Sequence, residues 1–87
     1  MELGNSTTTK ITFQDDHVLT ITTVRLVGES DASFRAHIAA DLKRLAEFGE
    51  KHFGSEAYLL SNQDQDTERL ENESIASFVD RYMETFT

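Results

Sequence analysis

The stretch Asp31–Phe53, DASFRAHIAADLKRLAEFGEKHF, is the longest segment of this 87-residue chain with one unbroken pattern. At about 100° per residue its apolar side chains fall on one stripe, and its charged side chains lie on the flanks and the opposite face. The stripe consists of Phe34, Ile38, Leu42, Leu45, Phe48 and Gly49, with Phe53 at its edge. This pattern predicts an amphipathic helix that packs on an apolar surface.

Signals at both ends of this stretch define the predicted helix. Ser30 precedes it, and a serine hydroxyl can accept a hydrogen bond from an amide of the first turn. Gly54 follows it, at the position where helices commonly end in a left-handed residue. Lys51 and His52 place positive charge near the negative end of the helix dipole. The helix is therefore predicted to begin at Asp31 and end at Phe53.

Asp41 breaks the apolar stripe, because it lies close to its middle. An ionised carboxylate is costly to bury unless it is paired. Asp41 is therefore expected either at the rim of the interface or paired, with His37 one turn back or Arg44 nearly one turn on. The competing interpretation is that Asp41 and His37 form a metal or proton-transfer pair, although two ligands alone do not make a metal site.

Two segments that precede the helix have the composition of β-strands. Thr8–Gln14 and Val18–Val27 are rich in threonine, isoleucine and valine, which strands favour. The short polar link between them, at residues 15–17, predicts an antiparallel hairpin. Met1–Thr7 is polar and contains a glycine, and we interpret it as a flexible N-terminal arm.

The second predicted strand changes the side on which its apolar residues lie. Leu19 and Ile21 share one face, whereas Val24 and Leu26 have the opposite parity. Either a β-bulge at residues 22–23 restores the inward direction, or both faces of the strand end are covered. If neither holds, Val24 and Leu26 belong to an exposed apolar patch, which is a candidate dimer surface.

The remainder of the chain predicts a third strand and a second helix. Residues 55–61 favour a short strand, and residues 62–66, NQDQD, favour a polar connector. Helical spacing then places six apolar side chains on one stripe: Ile75, Phe78, Val79, Tyr82, Met83 and Phe86. The pattern leaves open whether Thr67–Phe86 is one helix or breaks around residues 72–74.

These elements predict one α+β domain over residues 1–87, in the order β-β-α-β-α. Both amphipathic helices would pack on one face of a small antiparallel sheet. The length of the chain fits a single domain. The other sheet face would carry mainly threonine and lysine side chains and meet water.

Charge is the most informative bulk property of the sequence. The net charge is −8, from 16 acidic and 8 basic residues. Residues 61–87 carry seven acids against Arg69 and Arg81, a net charge of −5. Those acids are Asp64, Asp66, Glu68, Glu71, Glu73, Asp80 and Glu84. This concentration argues against direct binding to nucleic acid or to an anionic membrane.

Motifs for catalysis or cofactor binding are not found in the sequence. The chain has no cysteine, which excludes a disulfide framework and a thiolate metal site and is typical of a reducing compartment such as the cytoplasm. Its isolated glycines form no phosphate-binding loop. Asn62–Glu73 partly matches a calcium-loop spacing, but Thr67 stands at the position that requires glycine. We therefore predict no catalytic residue, no cofactor and no metal.

The sequence thus predicts a non-enzymatic, acidic protein-binding module. Its seven C-terminal acids would dock on a basic or nucleic-acid-binding surface of a partner protein. Phage anti-defence, anti-CRISPR and anti-restriction inhibitors, some of them nucleic-acid mimics, and toxin-immunity proteins are classes that work in this way. One alternative is a homodimeric structural or assembly protein. A second alternative is a small metal-dependent enzyme that uses Asp41 and His37.

Overall fold

The computed structural model describes residues 3–54, 57–62 and 65–85. The elements are β1 (Leu3–Thr12), a 3₁₀ turn (Gln14–Asp16), β2 (Val18–Leu26), α1 (Asp31–Phe53), β3 (Leu59–Asn62), β4 (Gln65–Glu68) and α2 (Ile75–Glu84). The predicted α+β class is confirmed, with two helices and an antiparallel sheet, and β4 is an additional strand. No helix in the described ranges has the length and apolar character needed to span a membrane.

The sheet has the strand order β2-β1-β3-β4, and every neighbouring pair is antiparallel. β2 and β4 are therefore its two edge strands. The core lies between the sheet and the helices and is formed by Ile11, Phe13, Phe34, Ile38, Leu42, Ala46, Tyr58, Leu60, Phe78, Val79, Tyr82 and Met83. Both helices contribute to this one core, so they cover a single face of the sheet.

The N-terminal segment is a strand from Leu3 onward, so residues 3–7 belong to β1 and not to the flexible arm that was predicted over Met1–Thr7. Leu3 pairs with Leu26 and Ser6 pairs with Val24, with one extra residue on β1 between the two pairs. The second half of β2 supplies the hydrogen-bonding partner of this segment. The composition of residues 3–7 alone did not predict that pairing. Residues 1 and 2 lie outside the described residues.

The irregularity in the hairpin lies in β1, and the bulge at residues 22–23, one of the predicted alternatives, does not form. The register runs without a break from Ser6 opposite Val24 to Thr12 opposite Val18. Since the parity of β2 never changes, Val24 and Leu26 point away from the helices. They are 40% and 53% exposed.

Polar groups hold the inner face of β2 against α1 where apolar residues were expected. Thr23 is buried, and its hydroxyl donates to Asp41 at 3.0 Å. The Arg25 guanidinium lies 5.6 Å from the centroid of the Phe34 ring. These contacts give the inward-facing Thr23 and Arg25 side chains partners on α1. The end of β2 is therefore stable with its apolar side chains on the outer face.

Helix α1 has the predicted bounds. The Ser30 hydroxyl accepts from the Ser33 amide at 3.1 Å, and Gly54 has a φ of 101°. Gly49 is buried as predicted, but the buried stripe is rotated from the predicted one, because Ala46 is buried while Phe48 is 50% exposed.

Gly49 accounts for this rotation. The Phe13 ring lies so close to it that a Cβ at position 49 would overlap the ring. Close packing of this kind requires glycine. The aromatic ring that fills the core here thus comes from the β1–β2 connection and not from the helix.

The predicted connector at residues 62–66 contains the end of β3 and the beginning of β4. Thr67 is buried in β4 opposite Leu60, so the second helix does not begin there. Asn72 has a φ of 64°, which interrupts any helix at that point. Ser74 then caps α2 by accepting from the Ser77 amide at 3.1 Å. Residues 67–86 therefore do not form one helix: α2 begins at Ile75, after an interruption at residues 72–74.

Candidate functional site

The C-terminal acids are distributed over β4, the turn that follows it, and α2. We call the exposed ones the acidic edge: Asp66, Glu68, Glu71, Asp80 and Glu84. Asp66 and Glu68 lie on the face of β4 that points away from the helices, and Asp80 and Glu84 lie one turn apart on α2. Of the seven predicted partner-binding acids, Asp64 lies outside the described residues.

Glu73 differs from the other acids because its carboxylate is bound within the protein. Arg81 donates to its two oxygens at 2.7 and 2.8 Å, and the Leu70 amide and the Ser77 hydroxyl also donate to it. The side chain is 8% exposed. The hydrogen bonds from Arg81, above all, lower the pKa of Glu73 to about 2. Glu73 therefore fixes the start of α2, and we do not include it in the acidic edge.

Arg81 also connects α2 to the edge of the sheet. Its guanidinium donates to the main-chain carbonyl of Glu68 in β4 at 2.6 Å. Its charge is balanced by Glu73, which raises the pKa of Arg81. The same side chain thus joins β4, the following turn and the helix, so the carboxylates on these elements keep fixed relative positions.

Arg69, the other cation of this region, is turned into the protein. It is 9% exposed, and its guanidinium lies 5.6 Å from the centroid of the Tyr58 ring and 3.8 Å from the Glu50 carboxylate. The Tyr58 hydroxyl donates to the same carboxylate at 2.6 Å. Burial, followed by this hydrogen bond, raises the pKa of Tyr58. Within residues 65–85, each arginine therefore has a carboxylate partner inside the protein.

Asp41 lies at the rim of the helix–sheet interface and pairs with Arg44, as one of the predicted alternatives required. Its second oxygen accepts from Thr23, and its side chain is 22% exposed. His37 instead pairs with Glu29, with 2.8 Å between Nδ1 and the carboxylate. The structure does not bring Asp41 and His37 together. Among the described residues, no group of three or more potential ligands could hold a metal ion.

The predicted dimer residues lie at the other edge of the sheet. Val24 and Leu26 belong to β2, on its exposed face, together with Val18. On the same face, between Val18 and Val24, Thr22 shares a hydroxyl hydrogen bond of 2.9 Å with Thr8 of β1. The apolar patch and the β4 carboxylates of the acidic edge, Asp66 and Glu68, are therefore on opposite edge strands.

All five residues of the acidic edge are among the seven acids predicted from the sequence, but the sequence did not predict what positions them. The role of Arg81 depends on β4, a strand that the sequence did not predict. Helical spacing would not have found the Glu73–Arg81 pair, because eight residues on a helix span about 12 Å and Glu73 lies before the Ser74 cap of α2. Comparisons of this chain with protein-family models, curated proteins and solved structures give no match.

Proposed function

We propose that this protein is a non-enzymatic binding module that docks its acidic edge on a basic surface of a partner protein. One observation carries the proposal: the five acids of the acidic edge are exposed, while the two arginines of this region, Arg69 and Arg81, each have a carboxylate partner within the protein. The charge that this edge presents to a partner is therefore negative. Electrostatic complementarity of this kind steers association and selects the partner.

The placement of the carboxylates on regular elements supports docking on an ordered surface. Asp66 and Glu68 are two residues apart on a strand, which separates them by roughly 6.6 Å. Asp80 and Glu84 are four residues apart on a helix, which separates them by roughly 6 Å along its axis. Neighbouring negative charges held on a rigid scaffold suit a surface that binds consecutive phosphates of a nucleic acid.

The partner that fits best is a nucleic-acid-handling protein, since such proteins carry extended basic surfaces. By occupying that surface, the acidic edge would exclude the nucleic acid and inhibit the partner. This is the mode of action expected of an anti-defence inhibitor, including the anti-CRISPR and anti-restriction types. A toxin-immunity protein would use the same electrostatics on a basic toxin.

Two matched triple variants test the proposal. The first, Asp66→Asn/Glu68→Gln/Asp80→Asn, removes three of the five negative charges of the acidic edge. The second, Asp15→Asn/Asp16→Asn/Glu47→Gln, removes the same number of negative charges from exposed positions outside the acidic edge. Asp15 and Asp16 have positive φ, a conformation that asparagine tolerates well. Both variants therefore have the same net charge and are expected to fold.

Each immobilised protein would be used to capture partners from a lysate of its native host, at low and at high salt, with quantification by mass spectrometry. We expect a basic protein to be retained by the unaltered chain and by the second variant, and to be lost from the first. Added duplex DNA should release this basic protein from the immobilised chain, because both would compete for the same basic surface. Equal loss from both variants would mean that only net charge matters. If no basic protein is enriched by the unaltered chain, the proposal is wrong.

A further inference from the structure

We propose that β2 is the pairing surface for a second copy of this chain. In the resulting dimer the two β2 strands lie antiparallel and join the two four-stranded sheets into one continuous sheet. This inference does not depend on the proposed function. It rests on which main-chain groups of β2 point to the edge, and on how their side chains match across a two-fold axis.

One hydrogen bond identifies the main-chain groups that face the edge. The Phe13 amide donates to the His17 carbonyl at 2.7 Å, and the two residues extend the β1–β2 register by one pair beyond Thr12 opposite Val18. In antiparallel strands, pairs that exchange hydrogen bonds alternate with pairs that do not. The odd-numbered residues of β2 therefore bond to β1. Four even-numbered residues direct their N–H and C=O groups to the edge: Val18, Thr20, Thr22 and Val24.

A second hydrogen bond, at the other side of the sheet, agrees with this alternation. The Arg69 amide donates to the Tyr58 carbonyl at 2.9 Å, in the register of β3 and β4. Carried through β1, the same alternation makes Asp66 and Glu68 the residues of β4 that face its edge. There the Glu68 carbonyl is already bound by Arg81. The β4 edge is thus partly closed and acidic.

The open part of β2 has a defined end. The Leu26 amide donates to the Glu29 carboxylate at 3.2 Å, and the Leu26 carbonyl accepts from the Glu29 amide at 3.1 Å. Both main-chain groups of Leu26 are therefore satisfied within the chain. Pairing with another strand is available from Val18 to Val24, and its centre is Ile21.

A two-fold axis at Ile21 places valine opposite valine and threonine opposite threonine along the edge-facing positions of this stretch. Val18 lies opposite the partner's Val24, and Thr20 lies opposite the partner's Thr22. Each such pair can exchange two main-chain hydrogen bonds. The outward face of the junction would consist of apolar pairs at its ends and hydroxyl pairs in its middle. No charged side chain lies between residues 18 and 24, so like charges are not opposed across the strands.

The position of β2 also suits a chain with a net charge of −8. β4, with its carboxylates, is separated from β2 by two strands, a distance of about 14 Å for three strand spacings. That exceeds the Debye length of about 8 Å at physiological ionic strength. Two copies that join through β2 therefore keep their acidic edges apart and leave both accessible.

Cysteine cross-linking tests the register directly, because the chain has no cysteine of its own. In the double variant Thr20→Cys/Thr22→Cys each thiol lies opposite a thiol of the partner, with Cα atoms about 5.5 Å apart, as a disulfide requires. Within one chain these side chains stand parallel and cannot bond. Thr8→Cys/Lys10→Cys is the control, since it has the same spacing on the same face of the inner strand β1.

After mild oxidation, non-reducing electrophoresis should show a covalent dimer for the β2 variant and only a background of collisions for the control. Sedimentation of the unaltered chain should show a dimer. Val18→Lys/Val24→Lys opposes lysine to lysine and should abolish that dimer, while Thr8→Lys/Thr12→Lys should retain it. An unaltered chain that is monomeric at every concentration, or equal cross-linking in both cysteine variants, would overturn the inference.

Discussion

The two edge strands of this sheet differ in length, in charge and in how their main chains are satisfied. β2 has nine residues and presents valine and threonine side chains on its exposed face. β4 has four residues, presents Asp66 and Glu68, and has one edge carbonyl bound by Arg81. Edge strands can pair with other chains unless charge or a covering group prevents it. The difference suggests that the fold separates self-association at β2 from docking of a basic partner at β4.

The largest expected effect concerns the contact that closes β4. Glu73→Ala removes both carboxylate oxygens that Arg81 binds and the acceptor of the Leu70 amide. We expect a loss of about 2–3 kcal/mol in the free energy of unfolding, measured by chemical denaturation, because these hydrogen bonds involve charged groups. The neighbouring Glu71→Ala serves as the control. Its exposed side chain should change stability by no more than about 0.5 kcal/mol.

The same pair should make the stability depend on acid pH. The folded-state pKa of Glu73 is about 2, below its usual 4.5. Its stabilisation is therefore complete above about pH 4.5 and is lost as the pH falls towards 2. Glu73→Gln should make the fall in unfolding free energy over this range shallower than in the unaltered chain. Identical pH profiles for the two proteins would show that this carboxylate does not hold the turn.

Thr23→Val should have a smaller effect, at the β2 side of the molecule. It removes the hydroxyl that donates to Asp41 and leaves that carboxylate with Arg44 alone. A loss of about 1 kcal/mol is expected from thermal or chemical unfolding. Thr20→Val, on the exposed face of the same strand, is the control. A similar loss from both variants would show that the inward hydrogen bond does not anchor β2 to α1.

The smallest effect on the stability of the monomer is expected for Val24→Lys. Val24 is 40% exposed on the outer face, so its replacement should change the unfolding free energy of the monomer by no more than about 0.5 kcal/mol. Thermal unfolding of a dilute sample would measure this change. A large loss would mean that Val24 stabilises the monomer, which would contradict its assignment to an interface between copies.

Parts of the fold that depend on local chemistry were predictable from the sequence. The bounds of α1 follow from Ser30, Gly54 and a continuous apolar stripe, and the structure confirms them. β4 was not predicted, because QDTE has little strand-forming composition and its pairing with β3 is a tertiary interaction. The rotation of the α1 stripe depends in the same way on the Phe13 ring, which arrives from a distant segment.

The candidate site shows the same division. Counting charges located the acidic third of the chain, since charge is a property of composition. It could not separate Glu73 from the exposed acids, because that distinction depends on where Arg81 points. The apolar parity of β2 is confirmed, and of the three alternatives for its end the structure shows the exposed apolar face without a bulge. The inward-facing Thr23 donates its hydroxyl hydrogen bond to Asp41 on α1. This partner is distant in sequence, so no local pattern in β2 predicts it.

Amide hydrogen exchange along both edge strands tests the central contrast most directly, with the protein dilute, concentrated, and mixed with the captured basic partner. The account predicts that concentration protects the amides of Val18, Thr20, Thr22 and Val24 and leaves those of β4 unchanged. The partner should instead protect β4 and the turn that follows it. Protection of β4 by concentration, or of β2 by the partner, would contradict the assignment of the two edges.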